Sequence, residues 1–167
     1  IYPTAPMVES ASRTSGMPVA ILAGTLPSSS QCVDVAWSGT GNANVITFGC
    51  GDQDNQRWRF TAASAPNWYR ISPVHDPNSL LTDLSRESKA IAIGAITTNA
   101  TAEWQLQSRG VGQYQIVNRS TGLCLTNANR VEPPPTGSLP YSMSTAECAS
   151  TAAQIFSIRL SILTCAI

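Results

Sequence analysis

Charge is scarce in this chain. Only 12% of its 167 residues are charged, about half the usual share, and ten basic residues cancel ten acidic ones. With one lysine (Lys89) and nine arginines set against that acid, no basic face exists for phosphate backbones or anionic lipid headgroups. Nucleic acid is therefore not an expected partner. Histidine is scarcer still. His75, in Pro73-Val-His-Asp-Pro77, has no second histidine and no cysteine near it in sequence, which argues against a metal site. No apolar run approaches the roughly 20 residues needed to cross a bilayer, so no membrane span is expected. The chain begins at Ile1 without methionine or a basic-flanked apolar stretch, as expected of a processed form or a fragment. Glycine-rich phosphate loops, a Ser-His-Asp order and a nucleophile elbow are all missing. Five Asp and five Glu are scattered, and nothing singles out a glycosidase pair. The expectation is a binding protein without a cofactor rather than an enzyme.

Helical periodicity is absent too: no window holds an i, i+3, i+4, i+7 apolar stripe for three turns. What remains is short and extended. Val19–Leu22, Asn44–Phe48, Tyr69–Ile71, Ala90–Ile93, Tyr114–Val117 and Ile155–Ile158 are β-branched or aromatic segments, separated by Gly, Pro, Asn and Ser. Many short strands with frequent turns predict an all-β sandwich or barrel.

An internal repeat decides between them. Asn55-Gln-Arg-Trp-Arg-Phe60, Ala102-Glu-Trp-Gln-Leu106 and Ala153-Gln-Ile-Phe-Ser-Ile158 each end on an aromatic, a polar spacer and an apolar residue, with the aromatics 46 and 52 positions apart. Upstream, Val19-Ala-Ile21 leads to Cys32-Val33, Tyr69-Arg-Ile71 to Leu80-Leu81, and Tyr114-Gln-Ile116 to Cys124-Leu125. Three copies of a four-strand unit imply pseudo-threefold symmetry and twelve short strands. They would close a six-stranded barrel capped by hairpins, with Trp58, Trp104 and Phe156 in the shared core. The repeats run over about residues 18–61, 62–108 and 109–160 of a domain spanning 18–167, after an extended N-terminal arm, 1–17. A proline-rich loop, Val131–Gly137, interrupts the third repeat, and an apolar tail, Leu160–Ile167, ends the chain.

Five cysteines leave two readings open. Cys32 with Cys50 and Cys124 with Cys148 span similar short loops and would make two local disulfides, leaving Cys165 over. Alternatively all five are buried thiols. Two N-glycosylation sequons, Asn99-Ala-Thr101 and Asn118-Arg-Ser120, fit secretion, although such triplets also arise by chance.

Cys32-Val33-Asp34-Val35, then Val45-Ile46-Thr47-Phe48-Gly49-Cys50, then Asn55-Gln56-Arg57-Trp58 resembles one complete repeat of the ricin-B-like (R-type) lectin family. The family pattern runs C-hydrophobic-D-V, V-x-x-aromatic-x-C, N-Q-x-W. The resemblance covers about residues 18 to 158 and weakens from the first repeat to the third. In size and style the chain is similar to the free-standing fungal lectins. The resemblance implies a β-trefoil and binding of glycans ending in galactose or N-acetylgalactosamine. The cysteines and sequons set a secreted or extracellular location beside a cytoplasmic alternative. It assigns Asp34 to accept hydrogen bonds from two adjacent sugar hydroxyls, because charge-assisted bonds to a carboxylate are strong. It assigns Phe48 as the stacking platform, Asn55 to give and take a hydrogen bond at a ring hydroxyl, and Gln56 to orient Asp34 from beneath. Trp37, three residues after Asp34, would rim the pocket as a second wall. Ile46 departs from the family, which often has glutamine there.

The other repeats look impaired. In the second, the cysteines give way to Leu80 and to Ala95 or a neighbour, and Thr101-Ala102 replaces Asn-Gln; Asp83 would reach the ligand position only if the register shifts by one. In the third, Thr126, Ala146 and Ala153 replace the carboxylate, the aromatic and the amide. Plainer roles stand beside these: Asp34 as a turn former, Trp37 as a buried loop anchor. So do two other functions. One is a trefoil protease inhibitor acting through the Val131–Gly137 loop; the other is an interaction module that has lost sugar binding. A homodimer through the tail or the N-terminal arm would supply multivalency.

Overall fold

A computed structural model of the chain describes residues 17–24, 31–84, 91–127 and 143–160. The N-terminal arm except Met17, the Val131–Gly137 loop, the tail beyond Leu160, Lys89 and Cys165 lie outside the described residues.

Twelve strands are present: β1 (Val19–Ala23), β2 (Gln31–Val35), β3 (Val45–Gly49), β4 (Trp58–Ala62), β5 (Trp68–Pro73), β6 (Ser79–Asp83), β7 (Ile91–Ala95), β8 (Trp104–Gly110), β9 (Gln113–Asn118), β10 (Cys124–Thr126), β11 (Ser144–Ala146) and β12 (Phe156–Leu160). Each predicted segment lies within or overlaps one of them. Antiparallel pairing runs β1–β4–β5–β8–β9–β12 and returns from β12 to β1, closing a barrel of six strands. Closure leaves that ring without an edge. The other six strands form three hairpins, β2–β3, β6–β7 and β10–β11. This is the β-trefoil, and it carries the threefold repeat of the sequence.

The repeat aromatics explain why the units must come together. Trp58, Trp104 and Phe156 each begin the fourth strand of a unit and are wholly buried in one apolar cluster. A buried indole N–H needs a partner. Trp58 Nε1 donates to Val33 O at 3.0 Å and Trp104 Nε1 to Leu81 O at 2.9 Å, tying each fourth strand to the second strand of its own unit. A short 3₁₀ turn precedes each aromatic, at Asp54–Gln56, Ala100–Ala102 and Ala152–Gln154. These turns bring the residues two and three before the aromatic against the hairpin.

Hairpin register aligns the units. Cys32 faces Phe48, Leu80 faces Gly94, and Cys124 faces Ala146. Thr82, not Asp83, is thus the counterpart of Asp34: the one-residue shift that Asp83 would need does not occur. A shift would turn every side chain of β6 to the other face and expose Leu81, which is fully buried. Counting on from Gly94, the missing second cysteine corresponds to Ile96 rather than Ala95. Cys32 pairs with Cys50 and Cys124 with Cys148, which resolves the cysteines in favour of two local disulfides in the first and third units.

Candidate functional site

The β2–β3 hairpin and the Asp54–Gln56 turn bring together all five residues singled out in the first repeat. Asp34, Trp37, Phe48, Asn55 and Gln56, with Ile46, Ser38 and Gln53 among others, line one open cavity of about 450 Å³.

Its floor is polar and held in place. Asp34 is buried, 4% exposed. Its Oδ2 accepts from Gln56 Nε2 at 2.7 Å and its Oδ1 from Asn55 Nδ2 at 3.1 Å. Gln56 is fixed in turn: Nε2 also donates to Gly49 O at 2.8 Å, and Oε1 accepts from Gly51 N at 2.7 Å. One glutamine thus fastens the carboxylate to both sides of Cys50. Asn55 spends its second amide hydrogen on Val35 O at 3.1 Å. Its donors are therefore committed within the protein, while Oδ1 has no partner among the described residues. The expected give-and-take role narrows to that of an acceptor.

Burial pushes the Asp34 carboxyl above the usual aspartate range. The bonds from Gln56 and Asn55 and the charge of His75 offset this only in part. The isolated histidine thereby finds a place: His75 Nε2 donates to Gly39 O at 2.7 Å and holds the end of the loop that carries Trp37. Gly39 is required at that point, since a Cβ would come within 2.8 Å of Ala43 Cβ.

The rim is aromatic. Phe48 is 55% exposed and Trp37 87% exposed. The plainer role for Trp37, a buried anchor, is therefore excluded. Trp37 and Ser38 both adopt left-handed backbone, with φ of 58° and 51°. For a residue as bulky as tryptophan this costs on the order of 1–3 kcal/mol. Ser38 and Gln53 escaped the sequence reading because neither residue type advertises the backbone that brings it to the cavity.

The other units lack parts of this site. In the third, Gln154 repeats the Gln56 bracket: Nε2 donates to Thr126 Oγ1 (3.2 Å) and Glu147 O (2.8 Å), and Oε1 accepts from Ala149 N (2.7 Å). The bracket survives there, but a threonine hydroxyl sits where the carboxylate would be, and Ala146 and Ala153 supply neither ring nor amide. In the second, a cavity of about 370 Å³ is lined by Thr82, Asp83, Gly94, Asn99 and Thr101 among others, with no aromatic. Asp83 is turned to the third unit, where its Oδ2 accepts from Thr145 Oγ1 at 3.0 Å.

Comparison with known proteins agrees with this architecture. The ricin-type β-trefoil lectin domain matches residues 22–154. No curated protein matches the chain. Among solved structures, the designed threefold-symmetric protein ThreeFoil superposes with a TM-score of 0.70 at 19% identity, over 85% of this chain and 97% of that one. SeviL, solved bound to the asialo-GM1 saccharide, gives 0.63 at 12% identity, over 87% and 99%. The exo-β-1,3-galactanase 1,3Gal43A of Clostridium thermocellum gives 0.73 at 16% identity, with 88% of this chain covering only 31% of the enzyme. At such identities the structural likenesses establish the fold, while the domain match spans most of the chain, from β1 to the turn before β12. The chain belongs to the ricin-type β-trefoil lectin domain family.

Proposed function

We propose that this protein is a lectin that binds galactose- or N-acetylgalactosamine-terminated glycans through the first-repeat cavity alone. The observation that carries the reading is the bracketed Asp34 carboxylate beneath two exposed aromatic rings. A carboxylate fixed by two amides has lone pairs left for a pair of vicinal hydroxyls, and charge-assisted bonds are the strong ones. Phe48 offers a flat apolar surface for the C–H face of a galactose-type ring, which its axial hydroxyl leaves clear. Asn55 Oδ1 supplies one further acceptor. An unburied Trp37 in strained backbone forgoes roughly 1.5–3 kcal/mol of burial, a loss that contact with a ligand would recover.

A shallow polar site holding one sugar binds on the order of mM to sub-mM, so useful avidity needs more than one copy. The test is a glycan array probed with the purified chain. Signal on galactose- and N-acetylgalactosamine-terminated glycans, competed by the free sugars, is expected; an array without such signal overturns the reading.

Two consequences separate the parts of the site. Phe48→Ala should weaken sugar binding roughly twofold to tenfold by titration calorimetry, since an aromatic platform contributes roughly 0.5–1.5 kcal/mol beyond area. An unchanged dissociation constant would remove Phe48 from the site. Binding should also fall on acidification with a midpoint above the ordinary aspartate value of 3.8, because burial raises the Asp34 carboxyl. The sign for stability is opposite. A carboxyl with a raised folded pKa takes up its proton more readily in the folded state, so acid does not destabilise the fold through Asp34. A binding curve flat from pH 7 down to 3.8 would contradict the carboxylate role.

A further inference from the structure

We propose that Asn99 is an N-glycan acceptor and that Asn118, in the second sequon, is not. The two triplets are equivalent as sequence, and the fold separates them. Asn99 is exposed, on the extended residue just before the Ala100–Ala102 turn, with φ −66° and ψ 143°. Its backbone N–H donates to Thr97 Oγ1 at 3.1 Å and its carbonyl accepts from Ala102 N at 3.1 Å, while its side-chain amide has no hydrogen bond among the described residues. The carboxamide is free to carry a substituent without loss of structure. Asn118 is the reverse case. It is 0% exposed. Its Nδ2 donates to Thr101 O at 2.9 Å, and its Oδ1 accepts from Ser120 N at 3.0 Å and Thr121 N at 3.3 Å. A sugar on that nitrogen has no room in the closed barrel, so a chain modified there cannot reach this fold.

Two disulfides point to an oxidising compartment, where N-glycosylation also takes place. The donor required is a polyprenyl-diphosphate-linked oligosaccharide. The Asn99 amide nitrogen bonds to the anomeric carbon, the diphosphate leaves with the bonding pair, and one amide proton passes to a base of the transferase. Asn99 lines the 370 Å³ cavity of the second repeat and shares no lining residue with the first-repeat cavity. The glycan would therefore stand over the second cavity and leave the first open. None of this depends on which sugar, if any, the first cavity binds.

The full chain should be secreted from a eukaryotic host and its intact mass measured before and after amidase release of N-glycans in heavy-oxygen water. One glycan is expected, with the aspartate that marks release at position 99 and none at 118. Asn99→Gln should abolish the mass difference; Thr101→Ala, which removes the sequon hydroxyl instead, should do the same. An unmarked position 99 in the secreted folded chain, or a mark at 118, overturns the proposal. If neither variant is secreted, the mark on the unsubstituted chain decides the matter alone.

Discussion

Asp34→Asn should abolish sugar binding, lowering affinity about 100-fold or more while leaving the melting temperature within a few degrees. Each hydrogen bond to a charged group contributes roughly 1.5–3 kcal/mol. Two hydroxyl donors on one carboxylate give at least about 3 kcal/mol, which is two orders of magnitude in Kd. A site that starts at mM to sub-mM then falls below detection. The fold is little affected because two effects oppose each other. Asparagine keeps the shape but presents one oxygen where Asp34 presents two, so either Gln56 Nε2 or Asn55 Nδ2 loses its acceptor, at about 1–3 kcal/mol. Against this, a buried charge is gone, and burial is the largest influence on that carboxyl. Titration calorimetry with the sugars that light the array, beside thermal melts, would check both halves. Binding within about threefold of the parent would mean the carboxylate is a structural strut and the sugar, if bound at all, sits elsewhere.

The fold was legible because it is written three times. Each of Trp58, Trp104 and Phe156 must be buried, and no single four-strand unit can bury its own, so spacing alone implied a closed threefold barrel. The first-repeat site was legible for a related reason: the segment Cys32–Trp58 carries its disulfide, carboxylate, ring and amides on two strands and one turn, so few long-range contacts intervene. Least legible was the ligand position of the second unit. Without cysteines to anchor the comparison, Thr82 and Asp83 compete for one position, and only the buried Leu81 beneath Trp104 decides it. The exposure of Trp37 was likewise hidden, because it follows from left-handed backbone at two residues with no glycine to signal it. The role of His75 depends on a contact across 36 positions and leaves no local trace.

In sequence Glu103 is only the residue before a core tryptophan, yet its replacement by alanine should have a large effect on stability. The side chain is almost wholly buried, 1% exposed, and its two oxygens gather Arg70, Arg119 and Ser64. Arg70 is on β5 and Ser64 in the loop between β4 and β5, both in the second unit, while Arg119 follows β9 in the third, so one carboxylate ties the second unit to the third. The equivalent positions hold Arg57, paired with Asp54 near the surface, and Ile155, so the arrangement is peculiar to the unit that lacks a disulfide. Removing one partner of a buried ion pair costs about 3–5 kcal/mol because the remaining charge is left uncompensated. Arg70 and Arg119 keep 22% and 36% exposure and regain some water, which favours the lower end, about 3 kcal/mol. At roughly 2–4 °C per kcal/mol for a domain of this size, the melting temperature should fall about 6–12 °C. Burial alone would raise the Glu103 carboxyl, but the bonds from Arg119 and Ser64 and the charges of Arg119 and Arg70 outweigh it and hold the group below its ordinary 4.5. A lowered folded pKa contributes stability that is complete above pH 4.5 and is lost as the pH falls toward the folded value. The gap between parent and Glu103→Ala should thus be constant near neutrality and close only in stronger acid. A melting temperature within 2 °C of the parent at pH 7, roughly 0.5–1 kcal/mol on the same scale, would show the cluster to be incidental. Acid therefore acts on the two carboxylates in different senses: protonation of Asp34, raised by burial, would weaken the proposed sugar contact without destabilising the fold, while protonation of Glu103, held ionised by its arginines, removes stability.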